Sequence, residues 1–108
     1  MYQYKDLYVL DFSKIKYYSE LHEIIKKELD FPDYYGKNWD AFWDCLTDMV
    51  GRSVHIEIRG LEQLEKKFEE DAKLMLELLK EWKHYNKNSY ADQITVDIIL
   101  EEKTVSLP

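Results

Sequence analysis

Apolar residues change their spacing repeatedly along the chain, and each change predicts an element. Leu7-Tyr8-Val9-Leu10 reads as a short strand. Ser19 is placed as an N-cap, and Leu21, Ile24, Ile25 and Leu29 follow at helical spacing. Phe31-Pro32 ends that helix, because a residue before proline is pushed out of the α region. Pro32 to Gly36 is then a loop, with Gly36 expected at positive φ. A second helix is predicted from about Asn38 to Met49, stopping near Gly51. From Ser53 to Arg59, Val54, Ile56 and Ile58 alternate with His55, Glu57 and Arg59, the period of a strand. Leu61 to Asn86 is helical in period but long for one helix, so a break near Asp71 and two helices are expected. Ile94 to Leu100, rich in Ile, Val and Thr, closes the series as a strand. This order predicts an α/β fold, with a three-stranded parallel sheet packed by about four helices.

Composition narrows the class. A length of 108 residues suits one domain, taken as 1–108, and 45% hydrophobic residues are enough to bury a core. No repeat, low-complexity stretch or linker divides the chain. No apolar run approaches the ~20 residues that span a bilayer. Met1 to Asp6 lacks the basic-then-apolar layout of a secretory leader, so a soluble, cytoplasmic protein is expected, and it is taken as a monomer. Cys45 stands alone, which leaves no disulfide framework and no thiolate metal cluster. Fifteen Lys+Arg against 22 Asp+Glu give a formal charge of −7. Phosphate neutralisation supplies most nucleic-acid affinity, so direct nucleic-acid binding is not expected. A basic protein surface suits this charge better.

The stretch from Tyr34 to Asp48 carries the candidate chemistry. At about 100° per residue, Asp44 and Asp48 fall near 40° and 80° from Asp40, with Thr47 near 340°. Trp39, Ala41, Phe42, Cys45, Leu46 and Met49 fill the other arc, and Trp43 sits at its border. The helix therefore buries most of its surface and presents one narrow carboxylate stripe. That stripe costs the helix roughly 0.2–0.5 kcal/mol per like-charge i, i+4 pair. Asp is also a weak helix former, and Asp48 opposes the helix dipole. Broken local rules gathered in one exposed place mark a functional surface; the ordinary reading is a solvated polar face.

The run Tyr34-Tyr35-Gly36-x-Asn38-x-Asp40-Ala41-x-Trp43-Asp44-Cys45-Leu46-Thr47 resembles the signature of the barstar family, intracellular inhibitors of the ribonuclease barnase. The resemblance extends through Leu21-His22 and Lys26-Lys27-Glu28-Leu29 to Pro32, and more weakly to Lys80-Glu81 and Ile94 to Leu100. It implies an inhibitor that blocks a ribonuclease without cofactor or catalysis, in a 1:1 complex. Asp44 would anchor in the active site in place of a substrate phosphate, and Asp40 would pair with cations beside it. Tyr34 would lay its ring on the partner, Asn38, Trp43 and Thr47 would support it, and Glu81 would add a peripheral charge. Lys37, Asp48, Met49 and Tyr85 depart from the family pattern, which implies a nuclease with a changed rim.

Other chemistries fit less well. Asp40 and Asp44 as an acid/base pair would need a cleft and a pKa split. As metal ligands they would need partners, and His22, His55 and His84 show no convergent spacing. Cys45 on the apolar arc reads as a core residue. His55 and Glu57 read as solvent-facing or hydrogen-bonded strand residues. Leu74, Leu78 and Trp82 read as core. The alternative to a ribonuclease inhibitor is an acidic module that binds another basic protein or a non-ribonuclease toxin.

Overall fold

Four strands and four helices follow one another as β1 Tyr8–Asp11, α1 Ser19–Glu28, α2 Trp39–Asp48, β2 Val54–Arg59, α3 Leu61–Lys67, α4 Glu69–Tyr85, β3 Ile94–Ile99 and β4 Thr104–Ser106. The computed structural model describes residues 7–49, 54–85, 94–100 and 103–108, with Tyr85 by its backbone alone. The expected helix stop at Gly51, the strand start at Ser53, the helix end at Asn86 and the residues of the N-terminus up to Asp6 lie outside them.

The sheet has the order β1-β2-β3-β4. Its first three strands are parallel, as the pattern predicts. The expectation of three parallel strands is corrected by β4, which runs antiparallel on the edge of β3. Three exposed residues, Thr104-Val105-Ser106, leave no alternation to read. Tertiary pairing makes the strand. The Leu100 N–H donates to the Lys103 carbonyl (2.8 Å), and the Leu107 N–H donates to Val96 O (2.7 Å). Lys83 Nζ caps the Leu107 carbonyl at 2.8 Å. The added strand covers the β3 edge, which would otherwise present unpaired backbone groups.

Register aligns Tyr8, Ile56 and Val96 in one row and Leu10, Ile58 and Ile98 in the next. These side chains are buried in one cluster with Leu21 and Ile25 of α1, Phe42 and Leu46 of α2, Leu64 of α3, and Met75, Leu79 and Trp82 of α4. Each large apolar side chain so buried stabilises the fold by roughly 1.5–3 kcal/mol. On the alternate rows, His55 Nε2 lies 2.9 Å from Asp97 Oδ2, and Ser106 Oγ donates to Asp97 Oδ1 at 2.7 Å. His55 is thus a hydrogen-bonded strand residue.

The Ser106 hydroxyl holds the Asp97 carboxyl below its ordinary value; burial pushes it up, and the hydrogen bond with the His55 ring lowers it by less than burial raises it. A carboxyl lowered in the native state stabilises above its unfolded pKa of about 3.9 and loses that contribution as pH falls further. Asp97→Asn is therefore expected to cost about 1 kcal/mol near pH 7, the usual size of one hydrogen bond. In urea unfolding the gap to the parent should narrow below about pH 4; a gap independent of pH would contradict the assignment.

Three helix boundaries differ from expectation. Ser19 is the first residue of α1 rather than its cap, and Tyr18 at the cap position makes no side-chain cap bond. Glu20 Oε1 instead folds back to accept from the N–H groups of Lys16 and Tyr17, both at 2.8 Å. The helix ends before the Phe31-Pro32 pair acts: Asp30 turns left-handed at φ 56. Phe31 N–H then reaches Lys26 O (2.9 Å) and Asp30 N–H reaches Lys27 O (3.3 Å), a Schellman closure. Glycine suits that left-handed position best. Asp30→Gly should raise stability by about 1 kcal/mol, the cost of left-handed backbone for a residue with a Cβ, as read by denaturant unfolding. The long helical stretch does divide into two helices, but the break falls at Phe68 (φ −142, ψ 65), three residues before Asp71. Phe68 N–H closes α3 on Leu64 O, and its ring packs edge-on against Tyr18 at 5.2 Å. Asp71 sits instead in the acidic first turn of α4.

Candidate functional site: an acidic helix and its groove

The loop before α2 is built by backbone bonds and aromatic packing. Tyr35 N–H donates to Pro32 O at 2.9 Å, and the Tyr35 ring is buried against Phe31 at 5.1 Å. Its neighbour Tyr34 points outward and is 78% exposed. The left-handed residue of the loop is Lys37 at φ 55, which corrects the expectation for Gly36. The Lys37 ammonium pairs with Glu23 on α1, so it steadies the loop from outside.

Asn38 starts α2. Its extended backbone (φ −143, ψ 172) lets Oδ1 accept from Ala41 N–H at 2.8 Å, while Nδ2 reaches Gly36 O at 3.3 Å. The sequence reading gave Asn38 only a supporting contact with a partner; its observed bonds are those of an N-cap. Asn38→Ala should cost about 1 kcal/mol of stability in urea unfolding, and no loss would show that the cap bond is dispensable.

Along α2, Phe42, Cys45 and Leu46 are buried, as is the capping Met49, and Asp40, Asp44 and Asp48 are exposed. Trp39, Ala41, Trp43 and Thr47 are half-buried. This matches the angular reading of the segment. Among the described residues no cation forms an ion pair with Asp40 or Asp44. Thr47 Oγ1 donates to Asp44 O at 2.9 Å and so bonds along its own helix. Burial, with the nearby charges of Asp48 and Asp44, pushes the Cys45 thiol up, which keeps it protonated and unreactive.

Beside the stripe, α2 and α4 leave a groove of about 470 Å³. Trp39, Trp43, Leu74 and Leu78 line it with Asp40, Asp44 and Glu81. A neighbouring hollow of about 600 Å³ shares Trp43 and Glu81 and adds Glu77, Lys80 and His84. Asp40, Trp43 and Asp44 of α2 thus meet Glu81, 37 positions beyond Asp44 on α4, at one concave acidic surface. Tyr34, Asn38 and Thr47 are not among the residues lining either hollow. Leu74 and Leu78, read as core, prove half-open: Leu74 is an exposed residue and both line the groove. Among the described residues no cluster of His, Cys, Asp and Glu converges to hold a metal. None of the described helices is long and apolar enough to cross a membrane.

Behind this surface, two residues with no role expected of them in binding pair across the helices. The pattern places Trp39 only on the apolar arc, and Asp71 only at a helix break. Trp39 Nε1 donates to Asp71 Oδ1 at 2.9 Å, and its ring stands edge-on to His22 (4.5 Å) and Phe42 (5.2 Å). Buried His22 has Nδ1 2.5 Å from the Tyr35 hydroxyl. Burial lowers the His22 pKa, a nearby Asp71 charge partly opposing it, and burial raises that of Tyr35. The phenol therefore keeps its proton and donates it to a neutral ring. The acidic triplet Glu69-Glu70-Asp71 was the available signal, since acidic first turns mark helix starts.

Residues 6–98 match the protein-family model described as Barstar (barnase inhibitor). Over 42 residues, which are 39% of this chain and 46% of the relative, the sequence is 50% identical to the protein named "Putative ribonuclease inhibitor YrdF" of Bacillus subtilis (strain 168). The aligned stretch thus spans under half of that relative's length. Because the family match covers most of the chain, from just before β1 to Ile98 in β3, and takes in the whole acidic helix, the chain belongs to the barstar family.

Proposed function

We propose that this protein inhibits a basic ribonuclease of the barnase type by seating α2 in its active site. The observation that carries the reading is the pair Asp40 and Asp44. Both are exposed on a capped helix, and among the described residues neither is neutralised by a cation of its own chain. A ribonuclease must concentrate positive charge to hold RNA. Fixed carboxylates fit that pocket as stand-ins for phosphate, and a carboxylate accepting paired Arg hydrogen bonds forms short, directional contacts. Asp44 is the anchor in this reading, Asp40 pairs with cations beside the pocket, and Glu81 reaches a rim charge across the groove. Tyr34 and Trp43 supply aromatic contact, with Asn38 and Thr47 at the margin. Opposite net charges also speed encounter, which suits capture of a toxic nuclease inside the cell. No cofactor enters this mechanism.

The test is titration of the protein into basic ribonucleases of the barnase type while residual RNA cleavage is measured. Cleavage should fall linearly to an end point at one inhibitor per enzyme. Undiminished cleavage at excess inhibitor across such a set would remove the ribonuclease reading.

A further inference from the structure

We propose that Asp71 is a positioning residue for the acidic surface: its carboxylate ties the start of α2 and the approach to α1 onto the first turn of α4, and so sets where Asp40 and Asp44 stand relative to Glu81. The proposal rests on the ribonuclease reading for its consequence and on the tether for its cause. One oxygen, Asp71 Oδ1, accepts both from Trp39 Nε1 and from the Tyr18 hydroxyl, each at 2.9 Å. The contact with Asp71 also raises the Tyr18 pKa, so the phenol stays a donor.

The need for a tether follows from the charge on the groove. Asp40 and Asp44 line it from α2 and Glu81 lines it from α4. Their mutual repulsion acts to spread the two helices. Trp39 directly precedes Asp40, and its ring is clamped between His22 and Phe42, so a fixed indole fixes the first carboxylate. Asp71 and Glu81 lie on one helix, about 15 Å apart along its axis at about 1.5 Å per residue. Helix α4 thus carries both the Asp71 tether and the Glu81 carboxylate. A charge array held at its bound spacing avoids the ordering cost of binding.

The experiment compares Asp71→Ala, Asp71→Asn and Trp39→Phe with the parent in two measurements. Amide hydrogen exchange of the free protein reads the tether without a partner. Asp71→Ala and Trp39→Phe should speed exchange at Phe42 to Leu46 about tenfold, with Ile56 and Val96 in the sheet unchanged. Asp71→Asn still offers an oxygen to both donors and should stay within about twofold. Unchanged exchange in the first two variants overturns the proposal. In ribonuclease inhibition, Asp71→Ala should weaken the complex about tenfold through faster dissociation, and Asp71→Asn should restore it to within about twofold. An Asp71→Asn loss as large as that of Asp71→Ala would mean that the charge meets the partner directly, which overturns positioning. If the parent inhibits no ribonuclease, the ribonuclease reading fails while the exchange measurement still decides the tether.

Discussion

Asp44→Ala is expected to abolish most of the ribonuclease affinity and leave the fold at least as stable as before. A charge pair buried at an interface costs roughly 3–5 kcal/mol when one partner is removed, because the other charge is stranded. At about 1.4 kcal/mol per factor of ten, that is a rise in Kd of about a hundredfold or more. The folded protein loses nothing comparable. Asp44 is exposed and, among the described residues, pairs with no cation. Its removal deletes two like-charge i, i+4 contacts, with Asp40 and Asp48, each costing roughly 0.2–0.5 kcal/mol. Alanine is also the better helix former. Affinity and stability should therefore move in opposite directions, the signature of a residue held for binding against local preference. Binding titrations paired with urea unfolding check both. Unchanged affinity together with lost stability would assign Asp44 to the fold instead.

Gly60→Ala is expected to have the largest effect on stability, a loss of about 3 kcal/mol or more. Gly60 joins β2 to α3 at φ +71, where a residue with a Cβ costs about 1–2 kcal/mol. A Cβ there would also lie 2.2 Å from Ser13 N and 2.5 Å from Ser13 Cα. Those atoms are backbone and cannot rotate away. They are held close because Phe12 N–H donates to Arg59 O at 2.8 Å, which draws the exit of β1 over the turn. Overpacking of this kind adds a further 1–3 kcal/mol. Thermal or urea unfolding measures the loss. A change under 1 kcal/mol would mean that the β1 exit shifts without cost.

Much of the fold was legible because one period dominates each stretch. The alternation of Val54, Ile56 and Ile58 became β2 with those residues buried, and the arc of Phe42, Cys45 and Leu46 became the buried side of α2. The carboxylate stripe was equally legible, since Asp40, Asp44 and Asp48 share a face through helix geometry alone. What escaped lacked local periodicity. The strand Thr104–Ser106 exists because β3 offers an unpaired edge. The break at Phe68 arises where its ring finds Tyr18, and Asp71 then falls inside a helix.

The same division runs through the site. Side chains on one short helix are placed relative to one another by covalent geometry, so the sequence by itself determined the acidic face, its flanking Trp43 and the membership of the chain in its family. Contacts between elements depend on how those elements pack, so only the tertiary structure decided that Glu81 joins Asp40 and Asp44 at one groove. It likewise decided that Asn38 caps the helix, that Lys37 rather than Gly36 takes the left-handed turn, and that Trp39 hangs from Asp71. The physical reason is range: backbone periodicity acts within a few residues, whereas a hydrogen bond across 32 positions is specified only once the core has closed.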